Sequence, residues 1–318
     1  MKKVLFLVNL VSGKKMGRNI KERIPPELHG ILDPNQYDME FTETATARQI
    51  KDISPGYETL VVVGGDGTLH QVVEGIVGLK NKPKIGIIPT GTGNDIAKSL
   101  GILPIFESYG LRALLEVILK GKTVSVDIIG LNNKYFFANY FGIGNDAKIS
   151  NDFGRLRLTP LFRRGRFLFF NQALYVLIGL KGGFYRIPFG VELKYKKDHS
   201  TTETLALTKG IREILITNVK TYAGGDCLSS KCKMDDGKFE VTIIFSLWQW
   251  LMMHFTRFLK KPLDVICSGL TQFQTDMLEI TFTGDTFYQI DGETFDDFSK
   301  GRKCLSVSVG SAIEMIVP

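Results

Sequence analysis

Short apolar runs alternate with segments of helical spacing in the first part of the chain. Strands are predicted, three as continuous apolar runs and one as an alternating segment, at residues 4–10, 59–65, 84–91 and 39–44. Apolar residues recur at helical spacing in residues 45–53, 69–79 and 111–121. Strands and helices in this order predict a parallel sheet with helices on both faces. We therefore expect an α/β domain over residues 1–127.

The pattern changes after about residue 124, where strand-like segments follow one another with few helices between them. These segments are residues 135–144, 191–196, 213–219, 239–245, 277–282 and 304–309. They predict a mostly antiparallel β domain over residues 128–318, of sandwich or barrel type, and we take the sandwich as the working prediction. One helical insertion is expected near residues 155–180.

Composition is compatible with two ordinary domains, since 318 residues with 44% hydrophobic content can build two cores. The four cysteines, Cys227, Cys232, Cys267 and Cys304, lack zinc-site spacing, and we interpret them as reduced thiols. The apolar runs at residues 4–11 and 167–180 are too short or too polar for a signal peptide or a membrane span. We expect a cytoplasmic protein.

The formal charge of +7 fits several partners, including nucleic acid, anionic lipid and nucleotide phosphates, and it also fits plain solubility. No nucleic-acid-binding motif and no compact basic stripe accompanies it, so we expect no nucleic-acid partner.

A glycine-rich loop at residues 64–68, Gly-Gly-Asp-Gly-Thr, lies between a predicted buried strand and an amphipathic helix. Glycines let the backbone approach a bulky anion, and a helix N-terminus offers N–H groups to phosphate. Thr68 adds a hydroxyl donor. Asp66 would repel phosphate unless a cation intervenes, which predicts Mg²⁺ here. The alternative is a glycine-rich turn that only packs tightly.

A second loop of this kind, Pro-Thr-Gly-Thr-Gly-Asn-Asp at residues 89–95, follows the next strand. Both loops are therefore expected side by side at the carboxyl edge of the sheet, where open α/β sheets bind ligands. Alternatively, Asn94 or Asp95 could simply cap the following helix. The turn after the first strand, residues 9–14, is not a Walker A loop.

The chain resembles the diacylglycerol kinase and sphingosine kinase family of lipid kinases. The resemblance is carried by both loops, the Ser12-Gly13 turn, the segment at residues 140–149 and the late Asp-Gly-Glu at residues 291–293. The bacterial soluble diacylglycerol kinases and YegS-like lipid kinases are nearest in size. The resemblance implies a three-layer, NAD-kinase-like first domain, ATP and Mg²⁺ in the reaction, and a membrane lipid as substrate. The Gly-Gly-Asp-Gly-Thr motif alone also occurs in NAD kinases.

The resemblance also assigns roles to individual residues. Around ATP it places Asn9, Ser12, Gly13, Thr46, Gly64, Gly65, Asp66, Gly67, Thr68, Gly91, Thr92 and Asn94. Around the catalytic Mg²⁺ it places Asp66, Asp95 and Asp127, with Asp66 and Glu293 as catalytic residues and Glu293 as the general base. At a structural metal site it places the Asp236 side chain and the carbonyls of Lys233 and Lys238. Asp127 could instead be an ordinary strand-end acid, and residues 235–237 a plain hairpin turn.

The chain departs from the family pattern at three places. Leu10 replaces a proline, His70-Gln71 replaces an asparagine-glutamate pair, and Asp226 follows Gly224-Gly225 where a third glycine is usual. These changes leave the phosphate cradle intact but weaken any inference about the lipid. We interpret His70 as a helix-surface or interdomain residue.

The predicted activity is transfer of the ATP γ-phosphoryl group to a lipid hydroxyl in the cleft between the domains. Diacylglycerol, which would give phosphatidic acid, is the first choice; a sphingoid base, ceramide or monoacylglycerol are alternatives. An NAD kinase-like enzyme and an inactive nucleotide-binding regulator are the rival functions.

A lipid kinase must reach a bilayer, so we expect peripheral, transient contact with the inner face of the membrane. The candidate contacts are residues 248–261 and the arginines Arg155, Arg157, Arg163, Arg164 and Arg166. Both could equally be core helices with cations at their ends. A homodimer stays open.

Overall fold

A computed structural model describes residues 3–157, 185–197, 201–208, 210–294 and 303–318. Most of the helical insertion predicted near residues 155–180 lies outside the described residues, and so does most of the arginine cluster. No helix in the described part combines the length and the apolar character needed to cross a bilayer.

The N-terminal part is an α/β domain built on four parallel strands in the order β2-β1-β3-β4. The strands are β1 (Val4–Asn9), β2 (Tyr37–Thr42), β3 (Thr59–Gly64) and β4 (Lys84–Pro89). The helices are α1 (Ser12–Leu28), α2 (Ala47–Ile53), α3 (Asp66–Ile76), α4 (Asp95–Ser99) and α5 (Ile102–Lys120), with a short 3₁₀ turn at Pro34–Gln36. This is the α/β architecture predicted from the sequence.

Burial explains why the central strands are continuous apolar runs. In β1 and β3 nearly every side chain is shielded from solvent, because helices cover both faces of the sheet. Helix α3 places Leu69, Val72, Val73 and Ile76 on one buried stripe, and the same core contains the buried face of α5. The sheet therefore holds the carboxyl ends of β1, β3 and β4 in fixed positions.

The rest of the described chain is mostly antiparallel strand. The strands are β5 (Lys122–Leu131), β6 (Tyr135–Phe137), β7 (Tyr140–Gly144), β8 (Val191–Lys196), β9 (Thr202–Leu207), β10 (Glu213–Thr217), β11 (Thr221–Tyr222), β12 (Asp226–Cys227), β13 (Phe239–Ile244), β14 (Thr271–Thr275), β15 (Met277–Phe282), β16 (Tyr288–Ile290), β17 (Glu293–Thr294) and β18 (Lys303–Val317). The helices are α6 (Asn145–Arg157), α7 (Leu247–Leu259) and α8 (Leu263–Ile266).

Two sheets enclose the core of this second domain. One runs in the order β14-β13-β10-β7-β16-β17, and its Phe141 and Ile214 pack in one cluster with Ile129 and Leu305 from the other sheet. Apolar side chains from both inner faces thus share a single core, as in a β-sandwich. The predicted sandwich is confirmed.

The long strand β18 joins the two domains. It pairs antiparallel with β5 and with β15, and it reaches β4 in parallel at Met315 and Ile85. One sheet therefore continues through both domains, and β18 is much longer than the segment 304–309 that its apolar pattern indicates. The predicted boundary between residues 127 and 128 falls inside β5 and stays a prediction.

Candidate active site

Hydrogen bonds link the three loops that follow β1, β3 and β4. The Asn9 side chain donates from Nδ2 to Thr68 Oγ1 at 2.9 Å, and Thr90 Oγ1 donates to Ser12 Oγ at 2.9 Å. The Thr90 amide donates to the carbonyl of Gly64 at 2.9 Å. The three loops thus form one assembly at the carboxyl edge of the sheet.

The two glycine-rich loops touch through their backbones. A Cβ on Gly91 would lie 2.4 Å from Cα of Gly65, and one on Gly65 would lie 2.8 Å from Cα of Gly91. Neither position can carry a side chain without moving the loops apart. The structure therefore places the two loops side by side, with glycine required on both.

The first turn of α3 faces this junction with its N–H groups. The helix begins at Asp66 after Gly65, and no side chain caps it. Thr68 is buried, and its hydroxyl is held by Asn9 inside the loop. An uncapped helix N-terminus flanked by glycines is a favourable place for phosphate.

The remaining predicted nucleotide-site residues lie around the same loops. Gly13 has φ +58°, and a Cβ there would lie 1.8 Å from the Thr90 carbonyl oxygen. Asn94 ties down its loop: Oδ1 accepts from the Gly91 amide and Nδ2 donates to the Gly91 carbonyl. It therefore does not act as a side-chain cap for α4. Thr92 is exposed at the loop tip.

Thr46 caps α2, because its hydroxyl accepts from the Gln49 amide at 3.3 Å. The start of α2 is joined to α3, since the Ala47 amide donates to Gln71 Oε1 at 3.0 Å. Gln71, which departs from the family pattern, thus ties the start of α2, next to Thr46, to α3.

Asp66 and Asp95 converge beside Gly93. A Cβ on Gly93 would lie 2.5 Å from Asp66 Oδ2 and 3.8 Å from Asp95 Oδ2. Asp66 Oδ1 accepts from the Asp95 amide at 2.9 Å, and both Asp95 oxygens accept from the Gly224 amide at 3.0 and 3.1 Å. Burial, followed by the charges of Asp95 and Asp291, raises the pKa of Asp66 to about 7.

This convergence has a chemical consequence. Carboxylates held together in a buried place are stabilised by a proton or by a cation, and carboxylate oxygens are ligands that Mg²⁺ prefers. Within the residues that the structure describes, no group of three or more His, Cys, Asp or Glu side chains forms a ready set of metal ligands. The donor set of Asp66 and Asp95 fits a cation that takes its other ligands from substrate or water.

Glu293, from the second domain, reaches the first turn of α3 at Gly67. Asp291 and Gly292, at φ +51° and +86°, form the two-residue turn between β16 and β17, as expected for a type I′ hairpin. The Asp291 amide donates to the Tyr140 carbonyl, and Asp291 Oδ1 accepts from the Tyr140 amide, both at 3.0 Å. As a result, Glu293 Oε1 lies 3.9 Å from where a Cβ on Gly67 would be.

An interdomain contact between His70 and Asp291 holds this hairpin against α3. The sequence motifs did not assign His70 to the site. His70 Nδ1 lies 2.9 Å from Asp291 Oδ2, and His70 Nε2 lies 3.7 Å from Glu74. Burial lowers the pKa of His70, but the hydrogen bond to Asp291 and the charges of Asp291, Glu74 and Glu293 outweigh it, so the pKa is raised. The interdomain interpretation of His70 agrees with this geometry.

Asp127 binds the turn at residues 234–237 through its side chain and its amide, and its carbonyl accepts from Asn218 Nδ2 at 2.7 Å. Its Oδ2 accepts from the Gly237 amide at 2.7 Å, and its amide donates to the Met234 carbonyl at 2.7 Å. Burial raises its pKa, with the charges of Asp236 and Asp235 adding to the effect.

The residues predicted for a structural metal lie on this turn. Asp236 is exposed and accepts from the Lys238 amide at 3.1 Å, and Lys233 is exposed nearby in the chain. Gly237 has φ +68°, as a turn glycine does. Asp127 therefore belongs structurally with this turn, and a metal there stays a prediction.

Comparison with known proteins identifies the class. Residues 3–131 match the family model of the diacylglycerol kinase catalytic domain, and residues 136–294 match that of the diacylglycerol kinase accessory domain. The chain belongs to the diacylglycerol kinase family, which confirms the resemblance seen in its motifs. It is a kinase of the lipid kinase class.

Individual relatives agree with this family. A diacylglycerol kinase of Staphylococcus aureus (strain JH9) is 29% identical over 250 residues, 76% of this chain and 70% of that protein. The crystal structure of a diacylglycerol kinase from Bacillus anthracis str. Sterne has a TM-score of 0.69 at 18% identity, covering 100% of this chain and 97% of that one. The structural likeness supports the two-domain fold.

The contact between the glycine loops predicts a specific sensitivity. Gly91→Ala should lower the free energy of unfolding by about 1–3 kcal/mol, because the new Cβ forces the loops apart. Gly78→Ala is the control, since a Cβ at Gly78 meets nothing within 4 Å. Urea unfolding of both variants measures the difference. Equal stability of the two would contradict the close approach.

The His70–Asp291 contact predicts a pH-dependent stability. Because the folded pKa of His70 is raised above 6.5, its stabilisation is complete below about pH 6.5 and is lost as pH rises through the folded pKa. His70→Gln should therefore cost about 1.5–3 kcal/mol at low pH and less at high pH. Urea unfolding over a pH series measures this. The exposed His29→Gln is the control for replacing an imidazole outside this contact.

Proposed function

We propose that the protein transfers the γ-phosphoryl group of ATP to a hydroxyl of a membrane lipid, with diacylglycerol as the first choice and phosphatidic acid as its product. The observation that carries the proposal is the position of Glu293, which a hairpin of the second domain brings to the N-terminus of α3. A carboxylate at that point faces the place where a phosphate would bind.

The nucleotide would bind at the joined loops. The N–H groups of the first turn of α3 and the glycine backbones of both loops would take the phosphates. Ser12, Gly13 and Thr92 lie in or beside these loops, and Thr46 caps α2, whose start contacts α3. These four residues would complete the nucleotide site.

Asp66 and Asp95 would hold Mg²⁺ between them and the phosphates. The fit rests on the convergence of the two carboxylates beside Gly93, and the raised pKa of Asp66 agrees with it. A cation would offset both the cost of burying these charges and the repulsion between them. When bound, the ion would neutralise charge that develops on the phosphoryl oxygens. The turn that contains Lys233, Asp236 and Lys238, with Asp127 against it, is a second and structural candidate.

Glu293 would act on the acceptor. Its carboxylate would accept the proton of the lipid hydroxyl as the hydroxyl oxygen bonds to the γ-phosphorus and the bond to the β–γ bridging oxygen breaks, which releases ADP. Tyr140 and His70 hold the hairpin and so orient Glu293. Because phosphate site and base come from different domains, productive alignment depends on the interdomain contacts.

The named relatives support diacylglycerol, since the Staphylococcus aureus protein is called a diacylglycerol kinase. A sphingoid base or ceramide is the second choice. Family membership and the Asp-Gly-Glu hairpin speak against an NAD kinase-like reaction. The paired carboxylates of Asp66 and Asp95, with Glu293 at the first turn of α3, speak against an inactive regulator. We place the reaction at the cytoplasmic face of a membrane.

The role of Glu293 has a direct test. Glu293→Gln should reduce turnover by roughly 10²-fold or more, because the acceptor loses its base, and leave ATP affinity unchanged. Radiolabelled ATP with a panel of lipid alcohols in mixed micelles measures turnover, and fluorescent-nucleotide titration measures binding. The exposed Glu107→Gln is the matched control.

Each contrary outcome has a meaning. Full turnover in Glu293→Gln would dismiss Glu293 as the base. Phosphorylation of NAD and of no lipid would favour the NAD kinase-like alternative. ATP binding without transfer to any acceptor would favour the regulator.

A further inference from the structure

Helix α7 turns large apolar side chains toward water. Trp248 is 65% exposed and Phe258 is 74% exposed, and Phe255 and Leu259 of the same helix are about half exposed. Val265 on the adjacent α8 is 60% exposed. We call these five side chains the exposed apolar patch. Single exposed apolar residues are common, but five on two consecutive helices mark an interaction site.

The opposite side of α7 is firmly held by the protein. Trp250 and Met253 are buried, and Trp250 Nε1 donates to the buried Asp146 at 2.8 Å. The helix starts with a capping box between Ser246 and Gln249. The patch is therefore the outer face of a well-anchored helix. Rotating α7 to bury the patch would break these contacts.

Charge around the patch identifies the kind of partner. Residues 247–261 contain no Asp or Glu, and Arg257, Lys260 and Lys261 cluster at the C-terminal end of α7. The next acid, Asp264, is turned back to accept from the amide and hydroxyl of Ser230. An apolar face with aromatic residues and terminal cations matches the interface of an anionic bilayer.

The patch is connected to the acidic pair by one hairpin. The Cys227 amide of β12 donates to Thr256 Oγ1 of α7 at 2.9 Å. In the same β11–β12 hairpin, the Gly224 amide donates to the Asp95 carboxylate. The β11–β12 hairpin therefore connects α7 to the site where phosphoryl transfer is proposed.

We propose that the exposed apolar patch inserts into the headgroup region of an anionic phospholipid bilayer while Arg257, Lys260 and Lys261 contact lipid phosphates. The proposal rests on the proposed function in one respect: an enzyme with a lipid acceptor must reach a membrane. A second copy of this chain is the competing occupant. It is disfavoured because the one acid on the two helices, Asp264, already accepts from Ser230, so a second copy would bring one cationic rim against another.

The two tryptophans allow a direct test, because the sequence has only Trp248, which is exposed, and Trp250, which is 4% exposed. Vesicles of phosphatidylcholine and phosphatidylglycerol with brominated acyl chains, added at low salt, should quench the protein fluorescence. Trp248→Phe leaves only the buried indole and should show almost no quenching. Absence of quenching in the wild type, or equal quenching in both proteins, would overturn the proposal.

Cosedimentation with the same vesicles tests the apolar contribution. Trp248→Glu/Phe258→Glu should bind vesicles about tenfold more weakly or worse, since two aromatic side chains no longer insert into the bilayer. Tyr109→Glu is the matched control, because Tyr109 of α5 is 75% exposed and far along the chain from the patch. Unchanged binding of the double variant, or equal loss in the control, would contradict insertion of this face.

The cationic contribution is tested by Lys260→Glu/Lys261→Glu. This variant should lose most binding to phosphatidylglycerol vesicles at low salt. Lys120→Glu/Lys122→Glu makes the same change of charge at exposed lysines elsewhere and should bind as the wild type does. Equal loss in both would mean that total charge, and not this surface, drives binding, which would overturn the assignment.

Two further measurements separate the remaining outcomes. Light scattering of wild type and Trp248→Glu/Phe258→Glu reports oligomeric state; a wild-type dimer that the substitutions dissociate would assign the patch to a second copy and overturn the bilayer proposal.

Turnover on lipid alcohols in detergent micelles should be preserved in the patch variants. Vesicle binding by a wild-type protein that phosphorylates no lipid would refute the proposed function and leave this inference standing.

Discussion

The backbone contact between Gly65 and Gly91 is the constraint on which the site depends. Strands β3 and β4 are neighbours in register, with Gly64 opposite Pro89, so the chain segments that leave them start at nearly the same place. They can continue side by side only because neither glycine carries a side chain. That contact brings the next acidic residue of each loop, Asp66 and Asp95, to the same point. The position of the acidic pair beside the N-terminus of α3 therefore follows from one geometric condition.

The second domain completes the site by means of specific contacts. The Gly224 amide donates to the Asp95 carboxylate, and Asp291 is hydrogen-bonded to His70. Two separate hairpins of the β domain therefore contact α4, which begins at Asp95, and α3, which begins at Asp66. The Asp291-Gly292 turn then exposes Glu293 toward α3. In the proposed function, one domain supplies the groups that bind the nucleotide and the other supplies the group that activates the acceptor. The interdomain hydrogen bonds would then be part of the active geometry.

Local patterns predicted most of the fold and less of the site. Strands β8 and β15 coincide with their apolar segments because alternation is a local property. Strand β18 is longer than its pattern, since pairing with β5 and β4 extends it past the apolar part. The His70–Asp291 contact joins residues far apart in sequence, and no local signal announces it. The resemblance grouped Asp127 with Asp66 and Asp95, and that grouping stays a prediction; in the structure the Asp127 carboxylate accepts from the Gly237 amide. The Asp-Gly pair at residues 291–292 was the one signal that could have revealed how Glu293 is presented.

Strand β18 also affects how the protein can be assembled. Without residues 303–317, β4 would be an outer strand with a row of unpaired amides and carbonyls, the kind of surface that recruits foreign strands. A nascent chain that has already produced the whole nucleotide-binding half must therefore wait for a segment nearly two hundred residues later to close its own sheet. We expect the unclosed sheet to be prone to aggregation during that interval, and excising the α/β domain as a separate fragment would carry the same risk.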